Sequence, residues 1–176
     1  MTDNESLQLA LEFAKEKHKG QKRIGGDEYI THPIAVCETV KNQGYNISFQ
    51  IAALFHDLLE DTNATEEEIL SLSNKNVLDA VKLLTKEKGY DMKNYIEKIK
   101  NNPIAFAVKN ADRLHNLRCA LVTNVEFKRK YILETVDYYL DFSKDIKIAV
   151  KELAESLDTT ILELSFLYEP IESWKI

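Results

Sequence analysis

Apolar side chains recur at intervals of three and four residues along nearly the whole chain, and no stretch alternates apolar with polar residues. That period places the apolar groups on one face of a helix and leaves no half-buried strand to build a sheet from. Only five glycines and three prolines interrupt the 176 residues. The expectation is an all-α fold, with helices joined by short polar turns.

One helical stretch carries more than packing. In Ala53-Leu54-Phe55-His56-Asp57-Leu58-Leu59-Glu60-Asp61-Thr62, four ionisable groups sit among apolar neighbours. Four residues apart on a helix means one face, so His56 pairs with Glu60 and Asp57 with Asp61. Burying such groups is costly unless something satisfies them. A divalent metal does so, because imidazole and carboxylate are ligands that first-row transition metals accept.

Bulk properties narrow the class. The length suits one domain with a sizeable core. A formal net charge of −6 argues against a general nucleic-acid surface, which needs a basic stripe. It leaves room for a small phosphorylated substrate. No apolar run approaches the roughly 20 residues that span a bilayer. The start, Met1 to Ser6, lacks the basic and apolar regions of a signal peptide. Cys37 and Cys119 are isolated and read as reduced thiols, so a cytoplasmic location is expected.

In chain order, Leu7, Leu9-Ala10 and Phe13-Ala14 predict a first helix. A loop over 18–29 follows, with three glycines and with Lys19, Lys22 and Arg23. Thr31 is the expected N-cap of the next helix, with Pro33 in its first turn and His32 at its start. Ser48 is expected to open the helix that carries His56 to Asp61. Thr62-Asn63-Ala64 should break it, and Thr65-x-x-Glu68 reads as a capping box. Asp91 is a candidate cap, Pro103 a helix start, and helical spacing continues from Val125 to Leu167.

Four side chains could converge on one ion: His32, the adjacent His56 and Asp57, and Asp112. This mix suits manganese, iron or zinc better than calcium. Neighbouring side chains diverge by about 100° on a helix. The helix must therefore tilt or end near the site, and the break at Thr62-Asn63 permits that. Open positions would take water, whose pKa a metal lowers toward neutrality. Glu60 and Asp61 could then move its proton or assist the leaving group. Asp112, His115 and Asn116 share a helical face, with Arg113 and Arg118 alongside. The loop cations supply charge for phosphates.

This ordered set resembles the HD superfamily of metal-dependent phosphohydrolases. Gly20-Gln21-Lys22-Arg23, Tyr29-Ile30-Thr31-His32-Pro33, Ala52 to Asp57, Glu60-Asp61-Thr62 and Lys109 to Arg118 are similar to the hydrolase domain of RelA/SpoT proteins. The length is similar to that of small alarmone hydrolases, including the metazoan SpoT homologues. The resemblance implies a single HD-domain helical bundle over 1–176, of roughly eight to ten helices. It is clearest over 1–142, with 143–176 as a C-terminal helical extension. It further implies Mn²⁺-dependent removal of the 3′-pyrophosphate from guanosine 3′,5′-bispyrophosphate, (p)ppGpp, with Fe²⁺ or Zn²⁺ as alternative ions. His32, His56, Asp57 and Asp112 match the metal ligands, and Glu60 and Asp61 the acidic pair that handles water and the transferred phosphate. Arg23 matches the residue that packs on the purine and Asn116 a nucleoside contact, with Lys22 beside them as a further substrate contact. Ile24 and Cys119 depart from the pattern at positions that bear on substrate preference rather than on metal chemistry.

Plainer roles compete for several residues. His115 reads as a structural histidine hydrogen-bonded beside the site, and His18 as ordinary loop or helix-end polarity. Lys86 and Lys88 could approach phosphate or simply occupy a solvated turn. Tyr131, Tyr138 and Tyr139 read as core or oligomer packing, which leaves a homo-oligomer open. Glu66-Glu67-Glu68 fits the favourable dipole at a helix N-terminus. The segment Tyr168 to Ile176, with Trp174, is a candidate for packing on a neighbour. Two other functions stay in view: hydrolysis of a different nucleotide or phosphoester, and a nucleotide-binding module without catalysis.

Overall fold

The computed structural model describes residues 2–157, so the expectations for Tyr168 to Ile176 and for helix beyond 157 lie outside the described residues. The described chain is helical: α1 (Asp3–Lys17), α2 (Thr31–Asn42), α3 (Ile47–Phe55), the single turn α4 (Leu58–Asp61), α5 (Glu66–Leu72), α6 (Lys75–Leu84), α7 (Met92–Lys100), α8 (Pro103–Ala120), α9 (Val125–Tyr138) and α10 (Lys144–Glu155). No strand forms among these residues; an isolated antiparallel bridge joins Lys22 to Glu28. None of the described helices is long and apolar enough to cross a membrane.

Local chemistry fixes the helix starts. Thr2 and Glu5 form a capping box at α1, and Thr65 and Glu68 form another at α5. Asp91 caps α7 by accepting from Asn94 N–H, as expected. Asn102 Oδ1 accepts from Ala105 N–H at 2.9 Å just before α8. Two expected caps are corrected. At α3 the cap is Asn46, whose side chain accepts from Ser48 N–H, so Ser48 already lies inside the helix. At α2 the cap position is Ile30, with no side-chain cap bond, and the Thr31 hydroxyl instead donates to Glu28 O at 2.8 Å.

The described residues divide into two compact units, 2–115 and 116–157. In the first, α3 is the buried centre, with Ile51, Ala52, Ala53, Leu54 and Phe55 all inaccessible or nearly so. Helices α1, α2 and α6 pack on it. Phe13 of α1 meets the Phe55 ring edge-on at 5.7 Å between centroids. Each such large side chain contributes about 1.5 to 3 kcal/mol on burial. Lys17 Nζ reaches both Glu68 oxygens and Asn63 Oδ1, which ties α1 to α5. In the second unit α9 packs on α10, with Ile132, Tyr139, Ile146, Val150 and Leu153 buried.

Candidate metal centre

The centre is built where a helix stops. The apolar pattern predicts one helix through His56 to Asp61 with a break at Thr62; α3 instead ends at Phe55 and α4 begins at Leu58, with His56 and Asp57 forming the turn between them. Asp57 has φ −102° and ψ −2°, off the helical norm, as the cap residue of α4. This break, rather than the later one, is what lets two adjacent side chains aim at one point despite their 100° divergence on a regular helix.

His32, at the start of α2, His56 and Asp57 each offer a ligand atom, and these atoms lie within 4.8 Å of one another. His32 Nε2 and His56 Nε2 are 3.2 Å apart. Asp57 Oδ2 is 3.1 Å from His56 Nε2 and 3.8 Å from His32 Nε2. Asp112, on α8, brings Oδ1 to 3.1 Å from His32 Nε2 and 3.8 Å from His56 Nε2. Its other oxygen, Oδ2, accepts from Lys109 Nζ at 2.8 Å. His32, His56 and Asp112 are buried, while Asp57 is half-buried.

The outer contacts set which atoms face inward. His56 Nδ1 is 2.7 Å from the Ala53 carbonyl, to which it donates, so Nε2 is the nitrogen turned to the cluster. His32 Nδ1 lies 2.8 Å from His115 Nδ1, and one ring must donate to the other. When His32 Nε2 acts as a ligand lone pair, its own Nδ1–H is the donor. His115 thus has the supporting place expected of it.

Electrostatics fit a cation. Burial alone would discharge His56, but the Asp57 and Asp112 carboxylates outweigh it and raise its pKa to about 9. Burial pushes the His32 pKa down, against the pull of Asp112. Burial opposes charge on Asp57 too, yet His56 holds it below the usual carboxylate range. Asp112 is held well below that range by Lys109 and the histidines, again against burial. With both imidazoles neutral, the two carboxylates and the Lys109 ammonium leave a net charge of −1 beside two imidazole nitrogens turned to the cluster. That donor set suits a divalent ion.

The two residues of the acidic pair have different partners. Glu60 Oε2 accepts from the backbone N–H of Lys86 at 3.0 Å, in the turn after α6. Lys86 Nζ in turn lies 5.7 Å and 5.8 Å from the ring centres of Tyr90 and Tyr95. Asp61 lies near Tyr29, whose hydroxyl is 2.6 Å from Asp57 Oδ2 and 3.1 Å from Asp61 Oδ2. Burial, reinforced by both carboxylates, pushes the Tyr29 pKa up and keeps the hydroxyl protonated. Gln21 Nε2 donates to Asp61 O at 2.7 Å.

The loop cations diverge. The Arg23 guanidinium lies over the Tyr29 ring at 5.8 Å, whereas Lys22 is exposed and pairs with Glu28 at 3.4 Å. Asn116 follows His115 along α8 and begins the second unit. Sequence reasoning missed two residues. His18 is not loop polarity: it is 2% exposed and stacks on Tyr29 at 4.7 Å. Tyr29 entered only as part of a motif, and an aromatic followed closely by a histidine at a helix start carries no signal of a bridge between two acids.

A family model described as HD domain matches residues 10–149. A guanosine-3′,5′-bis(diphosphate) 3′-pyrophosphohydrolase of Aquifex aeolicus is 36% identical over 143 residues, covering 77% of this chain and 20% of that protein. A GTP pyrophosphokinase rsh of Brucella melitensis is 30% identical, covering 96% of this chain and 23% of that protein. The chain therefore spans about a fifth of the length of these curated relatives. Among solved structures, a metazoan ortholog of SpoT that hydrolyses ppGpp matches with a TM-score of 0.68 and 25% identity, covering 84% of this chain and 93% of that one.

Proposed function

The chain belongs to the HD domain family, and from that premise we propose that it is a metal-dependent phosphohydrolase that cleaves (p)ppGpp to release the 3′-pyrophosphate. One observation carries the reading: His32 Nε2 and His56 Nε2 lie 3.2 Å apart, and each lies 3.1 to 3.8 Å from Asp57 Oδ2 and from Asp112 Oδ1, in a largely buried group. The pyrophosphohydrolase and SpoT relatives supply the substrate class.

His32, His56, Asp57 and Asp112 hold the ion, with Mn²⁺ as the proposed species because mixed imidazole and carboxylate donors suit it. When bound, a divalent ion supplies Lewis-acid polarisation of water and offsets charge on phosphoryl oxygens. His115 and the Ala53 carbonyl keep the two imidazoles turned inward, and Lys109 leaves Asp112 one oxygen for the ion. Water adds to the 3′-phosphorus as the ribose 3′-oxygen leaves. Glu60 or Asp61 takes the water's proton, and a proton returns to the 3′-oxygen. The products of ppGpp and water are then GDP and pyrophosphate. Arg23 and Asn116 contact the nucleoside, and Lys22 offsets phosphate charge from the loop.

The family match runs over both compact units, which supports reading them as one HD domain. A nucleotide substrate carries with it the expected cytoplasmic location. The test is a panel of ppGpp, pppGpp, GTP, ATP and a generic phosphodiester with Mn²⁺-loaded protein. Preference for the two 3′-pyrophosphorylated nucleotides supports the assignment. Preference for another substrate moves the same chemistry elsewhere, and binding of ppGpp without turnover under any divalent ion makes the chain a sensor.

A further inference from the structure

Holding the ion and moving a proton leave Tyr29 without a task, although it is the side chain that touches both groups of acids. Its hydroxyl lies 2.6 Å from Asp57 Oδ2, the same oxygen that faces the two imidazoles. That separation is typical of a short, charge-assisted bond. Its second acceptor, Asp61 Oδ2, is 3.1 Å away. The ring beneath is fixed: His18 stacks on it at 4.7 Å, His32 meets it edge-on at 6.1 Å, and Arg23 lies over it at 5.8 Å.

The support continues past the ring. His18 is buried, and its Nδ1 is 2.8 Å from Gln21 Oε1. The other end of the Gln21 amide donates to the Asp61 backbone carbonyl. Gly20, with φ +82°, turns the chain between His18 and Gln21, a conformation that favours glycine. The loop then folds back so that Tyr29 N–H donates to Gln21 O at 3.0 Å. Gln21 and Tyr29 therefore grip Asp61 by its backbone and its carboxylate at once, from one braced loop.

We propose that Tyr29 is a positioning residue that would aim Asp57 Oδ2 at the ion and hold Asp61 in place beside it. This rests on the metal reading of the site. A hydroxyl has one proton and donates to one carboxylate at a time. With no ion the closer acceptor is Asp57. That bond keeps Oδ2 turned to the imidazole nitrogens, the orientation a ligand oxygen would need. The same hydroxyl lies within reach of Asp61 Oδ2, so one braced ring sets the spacing of the two acids.

Tyr29→Phe tests this, because phenylalanine keeps the stacking on His18 and removes only the hydroxyl. Mn²⁺ binding is measured by calorimetry on wild type and variant, with the helical circular dichroism spectrum as the check on folding. The expected result is a Kd for Mn²⁺ raised about tenfold or more in Tyr29→Phe, with kcat lowered and the KM for ppGpp little changed. Asp61→Asn supplies the second arm. If Tyr29 acts on turnover through Asp61, adding Tyr29→Phe to Asp61→Asn lowers kcat at saturating Mn²⁺ by much less than it does in the wild-type background. Equal Mn²⁺ affinity in wild type and Tyr29→Phe, or kcat losses that simply multiply, overturns the inference. A wild-type chain that binds no Mn²⁺ overturns the metal reading as well, so the two failures are distinguishable.

Discussion

His32 and His115 meet ring to ring, Nδ1 against Nδ1 at 2.8 Å, with their centroids 4.9 Å apart. Only one of the two nitrogens can carry the shared proton, so the tautomer of each ring depends on the other. The sequence spacing between these residues says nothing of this; it arises because α2 starts and α8 passes at the same point.

His115→Phe removes the acceptor and keeps an aromatic ring of similar size. The His32 ring then loses the partner that fixes its orientation. The expected outcome is a 10- to 100-fold loss in Mn²⁺ affinity, read by calorimetry, with the metal-free protein destabilised by about 1 to 3 kcal/mol because the buried His32 Nδ1 loses its partner.

Metal binding should release protons. In the metal-free chain His56 stays charged up to about pH 9, and a ligand nitrogen must be neutral. Protons and metal therefore compete for His56, so affinity rises by about tenfold per pH unit below that pKa and flattens above it. His32, whose pKa is lowered by burial, contributes no second proton near neutrality. Calorimetry in buffers of different ionisation enthalpy should count close to one proton per ion at pH 7.5.

Asp57 and Glu60 should separate binding from turnover. Asp57→Ala removes a ligand and is expected to abolish both Mn²⁺ binding and hydrolysis. Glu60, whose carboxylate is held by Lys86 N–H rather than by the histidines, should be dispensable for the ion. Glu60→Ala should keep Mn²⁺ affinity within a few-fold while slowing kcat by roughly 10² to 10⁴. Retained activity in both variants would refute the site assignment.

Much of this arrangement is legible in the residues themselves. The 3.6-residue period marks the helices, and Thr65-x-x-Glu68 and Asp91 mark two of their starts, because caps depend on local geometry. His32, His56, Asp57 and Asp112 stand out because such groups are costly among leucines and valines. The break at His56–Asp57 is hidden, since Leu58 and Leu59 carry the apolar pattern straight across it. At α3, Asn46 and Ser48 are both competent caps two residues apart, and only the extended backbone of Asn46, ψ 178°, decides between them. Tyr29 and His18 were obscure for a different reason: their partners are Asp57, Asp61 and each other, contacts set by the loop's return rather than by any period.

The core of the first unit makes a separate, structural prediction. Phe55 is fully buried at the end of α3 and packs edge-on against Phe13. Phe55→Ala should destabilise the protein by about 3 to 5 kcal/mol, measured by urea denaturation, and Mn²⁺ should recover part of that loss because it binds only the folded state.

The most direct test is hydrolysis of ppGpp by the Mn²⁺-loaded chain in water enriched in oxygen-18. Attack at phosphorus predicts GDP without label and pyrophosphate carrying the heavy oxygen, with no release once the metal is removed by chelation. Label in GDP, or pyrophosphate release that survives chelation, would contradict metal-dependent cleavage at this centre.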